Sequence, residues 1–334
     1  MSTKKKLLSA LLAPVLVAGA VAAILLFSKN AAPYDLTEKT GIAMDTIVGV
    51  KLYGAPSGSE AEAAMHVVTG LEGVISRYKE GADVFRLNRN GKCKSTLLPV
   101  VLTQCKPIEE ATGGKFDLSV GAVSALWDFD TDTPRLPDAD ALQDARATVD
   151  YRKIAVTGDT VSVAPGQQLD LGAVGKGLAC DMVKQYLVSA HVKGAVVSVG
   201  GSILAYGQKS DKKEPWSIAI RHPRKENAFL GYLRLSEGFV STSGDYERFF
   251  EQDGVRYCHL LDATTGYPAD SSLCSVTVVC RNGMLSDALS TACYLLGEEE
   301  SKPLLEENGA AAVFVHTDGE ISVCGDVDFT ADES

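Results

Sequence analysis

Apolar residues are spaced in two ways along this chain. Between Thr46 and Tyr53, Val48, Val50 and Leu52 alternate with Ile47, Gly49 and Lys51, the period of a β-strand. From Ser59 to Tyr78, Ala63, Val67, Val68, Leu71 and Ile75 share one face at helical spacing and predict an amphipathic helix. Phe116 to Phe129 opens at a Gly-Gly turn and ends near Trp127. Pro134 to Asp140 reads as a loop, and Tyr151 to Val163 as a hairpin turning at Gly158-Asp159. Leu169 to His191 is a loop and then a helix with Leu178, Met182, Tyr186 and Leu187 inward. Ala195 to Val199 is a short apolar strand ending at Gly200-Gly201. Trp216 to Ile220, Leu230 to Leu235 and Cys274 to Val279 are further strands. Leu285 to Leu296 predicts a helix closed by Gly297, and Pro303 to Asn308 a short helix stopped by Gly309. The last hairpin, Ala311 to Cys324, turns at Asp318-Gly319.

Strands outnumber helices and adjoin as hairpins without regular βαβ alternation. The expected fold is α+β: one domain over residues 31–334, with a mixed, largely antiparallel sheet flanked by helices. No strand runs into G-x-G-x-x-G and a helix, which excludes a Rossmann domain.

The first thirty residues follow another pattern. Lys4, Lys5 and Lys6 precede an uncharged apolar run from Leu7 to Phe27, roughly 30 Å long as a helix, about one hydrocarbon core. Lysines on that flank favour a cytoplasmic N-terminus and send the rest of the chain across the membrane. The expectation is a signal anchor over residues 1–30: a single N-terminal pass in the cell membrane with an extracytoplasmic catalytic domain. A cleaved secretory peptide is the competing reading. No cysteine precedes Cys93, so none is placed there to carry a lipid. Ala31 to Leu36 reads as a linker.

A net charge of −11 repels phosphate backbones and argues against nucleic acid as a partner. With 46% hydrophobic residues in 334, the chain can bury a sizeable core. None of the eight cysteines forms a C-x-x-C pair, which argues against a zinc site. Burial as small apolar residues is the expectation for most of them. A Cys93–Cys105 bridge is conceivable.

Four segments use residue types that packing does not demand. Asp170-Leu-Gly-Ala-Val-Gly-Lys-Gly177 puts glycines, an acid and a lysine at a loop-to-helix junction, either an anion cradle or a plain capped turn. Gly200-Gly201 reads as a tight turn. Ser241 to Arg248 with Tyr257 to Pro268 concentrates hydroxyls, acids and arginine around His259. In Ser286 to Ala292, Asp287 and Thr291 stand at i and i+4 on one helix face and offer hard oxygen ligands to magnesium. Helix-dipole and back-bonding roles explain the same pair without a metal.

Together these residues resemble the ApbE family, the FAD:protein FMN transferases. Met44-Asp-Thr46, Ser76-Arg-Tyr78, Leu87-Asn88, Gly114-Lys-Phe-Asp117 through Trp127, Asp170 to Asp181, Ser198 to Gly201, Thr242-Ser-Gly244, His259 to Gly266 and Asp287 to Thr291 follow its motifs in order. Ala263, Thr264 and Ala82 depart from it, away from the histidine and the metal positions. The resemblance implies transfer of FMN from FAD, as substrate, to a threonine or serine of an extracytoplasmic or membrane acceptor flavoprotein. It implies Mg2+ on the Ala173 carbonyl, Asp287 and Thr291. It implies FAD against Met44, Tyr78, Lys115, Phe116, Asp117, Asp170, Lys176 and Leu261. His259 is the candidate base, since an unperturbed imidazole titrates near neutrality. FAD hydrolysis to FMN and AMP, and flavin binding without catalysis, are the alternatives. Asp262-Ala-Thr-Thr-Gly266 resembles the start of the family's acceptor motif, Asp–Gly/Ala–x–Ser/Thr–Gly/Ser–Ala–Thr. Tyr267 and Pro268 break the match, and a turn beside the site is the expectation.

Overall fold

The central sheet has eight strands that lie side by side in chain order, every pair antiparallel. They are β1 (Leu36–Ala43), β2 (Thr46–Tyr53), β3 (Gly194–Val199), β4 (Ser202–Gly207), β5 (Gly238–Gly244), β6 (Leu273–Cys280), β7 (Ala311–His316) and β8 (Ile321–Cys324). The computed structural model describes residues 34–129 and 134–332. The expected anchor, residues 1–30, lies outside them. Among the described residues no helix is long and apolar enough to cross a membrane.

Four connections in this meander are long, and they build the rest of the molecule. Between β2 and β3 run α1 (Glu60–Ile75), α2 (Asp83–Asn90), α3 (Leu98–Ala111), α4 (Gly121–Trp127), α5 (Ala139–Arg146) and α6 (Gly175–Ser189). Between β6 and β7 run α7 (Gly283–Leu296) and α8 (Glu298–Glu307). Period-two alternation sends Val48, Val50, Leu52, Val197, Val199, Val276 and Val278 into a core shared with the helices. On the opposite face, Ala205, Val240, Val313 and Val315 pack on Trp216, Ile218, Ile220 and Leu233. The first three of those four come from strand Trp216–Arg221 and Leu233 from strand Phe229–Leu235, both in the β4–β5 connection. These two strands form a three-stranded sheet with Asp328–Ala331. The β5–β6 connection folds into two small hairpins, Phe249–Gln252 with Val255–Cys258 and Leu261–Asp262 with Tyr267–Pro268.

The α+β class and antiparallel character are as expected, and the central sheet is wholly antiparallel rather than mixed. Other expectations are corrected. The linker gives way at Leu36 to β1, which the charged pattern of Glu38 and Lys39 conceals because its outer side is an exposed edge. The Pro134–Asp140 loop ends at α5, capped by the Asp138 carboxylate on the amides of Asp140 and Ala141. The helix after Gly297 starts at Glu298 and carries Pro303 inside it. Helix α1 buries Ala61, Ala64, Met65, Val68, Leu71 and Ile75, while Ala63 and Val67 are only half-buried at its flank. All eight cysteines are free thiols, with Cys93 and Cys105 buried and unbridged.

Candidate active site

The Gly177 amide decides one corner of the site. It lies in the first turn of α6, where amides have no acceptor within the helix, and it donates to Asp287 Oδ2 at 2.8 Å. The helices approach this closely because residues 177 and 283 are both glycine. A Cβ on Gly177 would stand 2.0 Å from the Gly283 oxygen and 2.7 Å from Asp287 Cβ. Asp181 of α6 holds the start of α7 by accepting from the Gly283 and Met284 amides at 2.8 and 2.7 Å. Asp287 Oδ1 accepts from Ser202 Oγ at 3.2 Å. One turn on, the Thr291 hydroxyl meets Ser243 Oγ at 3.1 Å. Asp287 is 4% exposed, and burial pushes its carboxyl above the usual range against the pull of Lys176.

A nearly buried carboxylate of raised pKa with a hydroxyl one helical turn on, in a cavity also lined by Ala173, offers hard oxygen donors with a deficit of positive charge. It fits a small hard cation such as magnesium. No three His, Cys, Asp or Glu side chains converge among the described residues, so the only acidic ligand the fit uses is Asp287.

Lys176, Glu247 and His259 line the same cavity as this corner. Lys176 Nζ lies 3.9 Å from Glu247 Oε2. Gly200-Gly201 is the tight turn expected between β3 and β4, and it also makes room. Gly200 has φ +55°, and a Cβ there would meet Thr46 Oγ1 at 2.8 Å and Lys176 Cδ at 3.4 Å. A Cβ on Gly201 would meet Glu247 Oε1 at 3.0 Å. His259 follows strand Val255–Cys258, and its amide donates to the Arg248 carbonyl at 3.0 Å. Its Nδ1 is buried and unpartnered. Burial lowers the imidazole to about 4, with Glu247 pulling up and Lys176 and Arg248 pushing down. This corrects the expectation of titration near neutrality. Trp127 steadies the segment: its indole N–H donates to the Gly266 carbonyl at 2.8 Å and its ring packs on Tyr257 at 5.5 Å.

The positions implied for FAD fall around the same space. Met44 and Asp45 form the two-residue β1–β2 turn at φ +53° and +54°, where non-glycine residues cost about 1 kcal/mol each. The Met44 amide is held by Glu72 Oε1 at 3.0 Å. Tyr78 is 55% exposed under the Arg77 guanidinium, which lies 5.2 Å from its ring centre. Asp117 is buried and accepts from the Ser119 and Tyr151 amides at 2.7 and 2.9 Å, so it fixes the loop that carries Lys115 and Phe116. The Lys115 carbonyl takes the Ala263 amide at 2.9 Å, tying this loop to the Leu261 hairpin. Asp170 bonds Arg77 Nη1 at 2.8 Å and the Gly172 amide at 2.9 Å. Burial alone would raise its carboxyl, but Arg77 and the amide outweigh burial and hold it low.

All twelve predicted positions line one cavity of ≈1070 Å³. Arg77 and Glu247 stood inside motifs quoted from the sequence but were not among the predicted site residues. Arg77 finds Asp170 across 93 residues of chain, a pairing that no local pattern marks.

The sequence profile of the ApbE family matches residues 44–315. The chain is 33% identical over 304 residues to the FAD:protein FMN transferase of Treponema pallidum, with 83% of each chain covered. The ApbE protein of Thermotoga maritima superposes with a TM-score of 0.79 at 29% identity, over 87% of this chain and 97% of that one. The apo flavinyl transferase ApbE of Pseudomonas stutzeri does so with a TM-score of 0.76 at 30% identity, over 90% and 95%. With the profile spanning most of its length and the same architecture in its solved relatives, this chain belongs to the ApbE family.

Proposed function

We propose that this enzyme transfers the FMN half of FAD to a threonine or serine hydroxyl of an acceptor protein and releases AMP. The observation that carries the reading is the single cavity joining the twelve positions, with His259 in its lining and the Nδ1 of that ring buried without a partner. The acceptor oxygen bonds to the phosphorus of the FMN half. The bridging P–O bond breaks and its electron pair leaves on AMP. His259, neutral above about pH 4, takes the hydroxyl proton. Lys176 faces the pyrophosphate and exchanges Glu247 for it. Tyr78 and Phe116 offer ring faces, and Asp170 holds Arg77 in place beside Tyr78.

Magnesium belongs to the same proposal, held by the Ala173 carbonyl, Asp287 and Thr291. When bound it supplies Lewis-acid screening of the phosphate charge. Purified protein, FAD and magnesium mixed with an acceptor should give a fluorescent flavin band on a denaturing gel, and a chelator should abolish it. Free FMN and AMP without a band would make the enzyme a hydrolase.

The lysines and apolar run before residue 28 support a membrane anchor, with the domain and its acceptor flavoprotein outside the cytoplasm. Protease added to spheroplasts should then digest the domain; a protected domain would refute this orientation.

A further inference from the structure

We propose that the face of the central sheet turned away from the helices, beside the reaction centre, is the docking trough for the acceptor. It holds an extended polypeptide there and delivers the hydroxyl-bearing residue to His259. The inference rests on the transferase reading above.

The strand register defines the trough. Thr40 of β1 stands opposite Gly49 of β2, Gly49 opposite Ser198 of β3, and Ser198 opposite Ile203 of β4. Their neighbours Val48, Val50, Val197 and Val199 point into the helical core, so this row faces the other way. Its first three members present a hydroxyl, a hydrogen and a hydroxyl, which leaves a low floor. Ile218 and Ile220 of the three-stranded sheet line the same space. Crossing four strands takes roughly 14 Å, the length of about four extended residues.

Three observations point to a ligand there, and to a chain rather than a small molecule. First, the row lines the same cavity as His259, Lys176 and Asp287, and Ser198 lies two residues before Gly200, against which Lys176 packs. None of the eight positions implied for FAD is on this face: one is in the β1–β2 turn and the rest lie in the β2–β3 and β5–β6 connections. The volume of ≈1070 Å³ reaches the top of the range, roughly 300–1,000 Å³, that one small ligand needs. Second, Ser198 is only 9% exposed and its hydroxyl has no partner among the described residues. A peptide amide or carbonyl crossing the floor would satisfy it. Third, the trough is open at the β1 edge of the sheet, where Thr40 is exposed. Ile42, 79% exposed on the same face, offers an apolar contact there to a chain that continues outward. A protein segment that runs along the trough and continues beyond it needs such an open end.

The test uses the full chain with FAD, magnesium and a synthetic peptide carrying the family's acceptor motif. Flavin-labelled peptide is read as a function of peptide concentration, and FAD affinity separately by quenching of flavin fluorescence. Gly49→Val fills the floor with a residue that strands favour. Thr40→Trp does so from an exposed edge position that the core does not depend on. Each should raise the peptide KM at least tenfold and leave the Kd for FAD within twofold. Ser198→Ala should raise KM a few-fold. A wild-type peptide KM in both filled variants overturns the trough. An equal loss of FAD affinity assigns the face to the flavin nucleotide and also overturns it. A wild-type enzyme that binds FAD but labels no peptide overturns the transferase reading and the trough with it.

Discussion

His259 shows what a folded environment does to one residue. On sequence it is one of five histidines, distinguished by the hydroxyls and acids around it. In the fold its ring is desolvated and its Nδ1 has no partner, so the charged form is disfavoured and the imidazole falls from 6.5 to about 4. Between those two values the unfolded chain binds a proton that the folded chain refuses. Stability present above pH 6.5 is therefore lost as pH falls toward 4, by about 3 kcal/mol in all. Histidine NMR should find the His259 ring neutral at pH 5, and the resonance should vanish in His259→Gln. A ring half-protonated near pH 6.5 would mean it is solvated. The same variant should lose roughly 100- to 10,000-fold in transfer while still binding FAD. A variant transferring at the wild-type rate would place the base elsewhere.

At the scale of elements, legibility followed the kind of burial. Strand β2 and helices α1 and α6 each face one core, and their periodicity gave their place to within a few residues. Helix α2 is eight residues with only Val84 and Leu87 buried, too little to mark a period. Helix α3 carries Pro99 near its start and Pro107 inside, which read as breaks in a sequence scan. The candidate site was legible because its residue types are costly elsewhere: glycines where two backbones touch, a carboxylate with almost no water. Asp287 and Thr291 were visible as an i, i+4 pair. The bond from the Gly177 amide to Asp287 depends on a helix 110 residues away and leaves no local trace. Asp117 and Asp170 were expected beside FAD, and they line the one cavity that holds the other predicted positions. Their carboxylates are nonetheless engaged within the protein, to a loop and to Arg77, so each shapes the site by holding other groups.

The molecule as a whole carries its stability in two cores on either side of one sheet and a smaller cluster around Trp127, and this bears on its cysteines. A domain of this size buries enough apolar surface to fold without cross-links. Seven of its eight thiols are buried, several wholly within the helical core, where burial pushes Cys105 and Cys180 far above the usual thiol range. A thiol that is neither ionised nor accessible does not exchange, so these cysteines would stay reduced even in an oxidising compartment. Cys324, on edge strand β8, is the partly exposed exception. Titration of the folded protein with a thiol reagent should therefore modify Cys324 quickly and the other seven only on unfolding. Addition of denaturant should bring the count to eight, in protein purified without reductant. Six titratable thiols after denaturation would reveal a bridge and show that the fold is held by more than the packing of its cores.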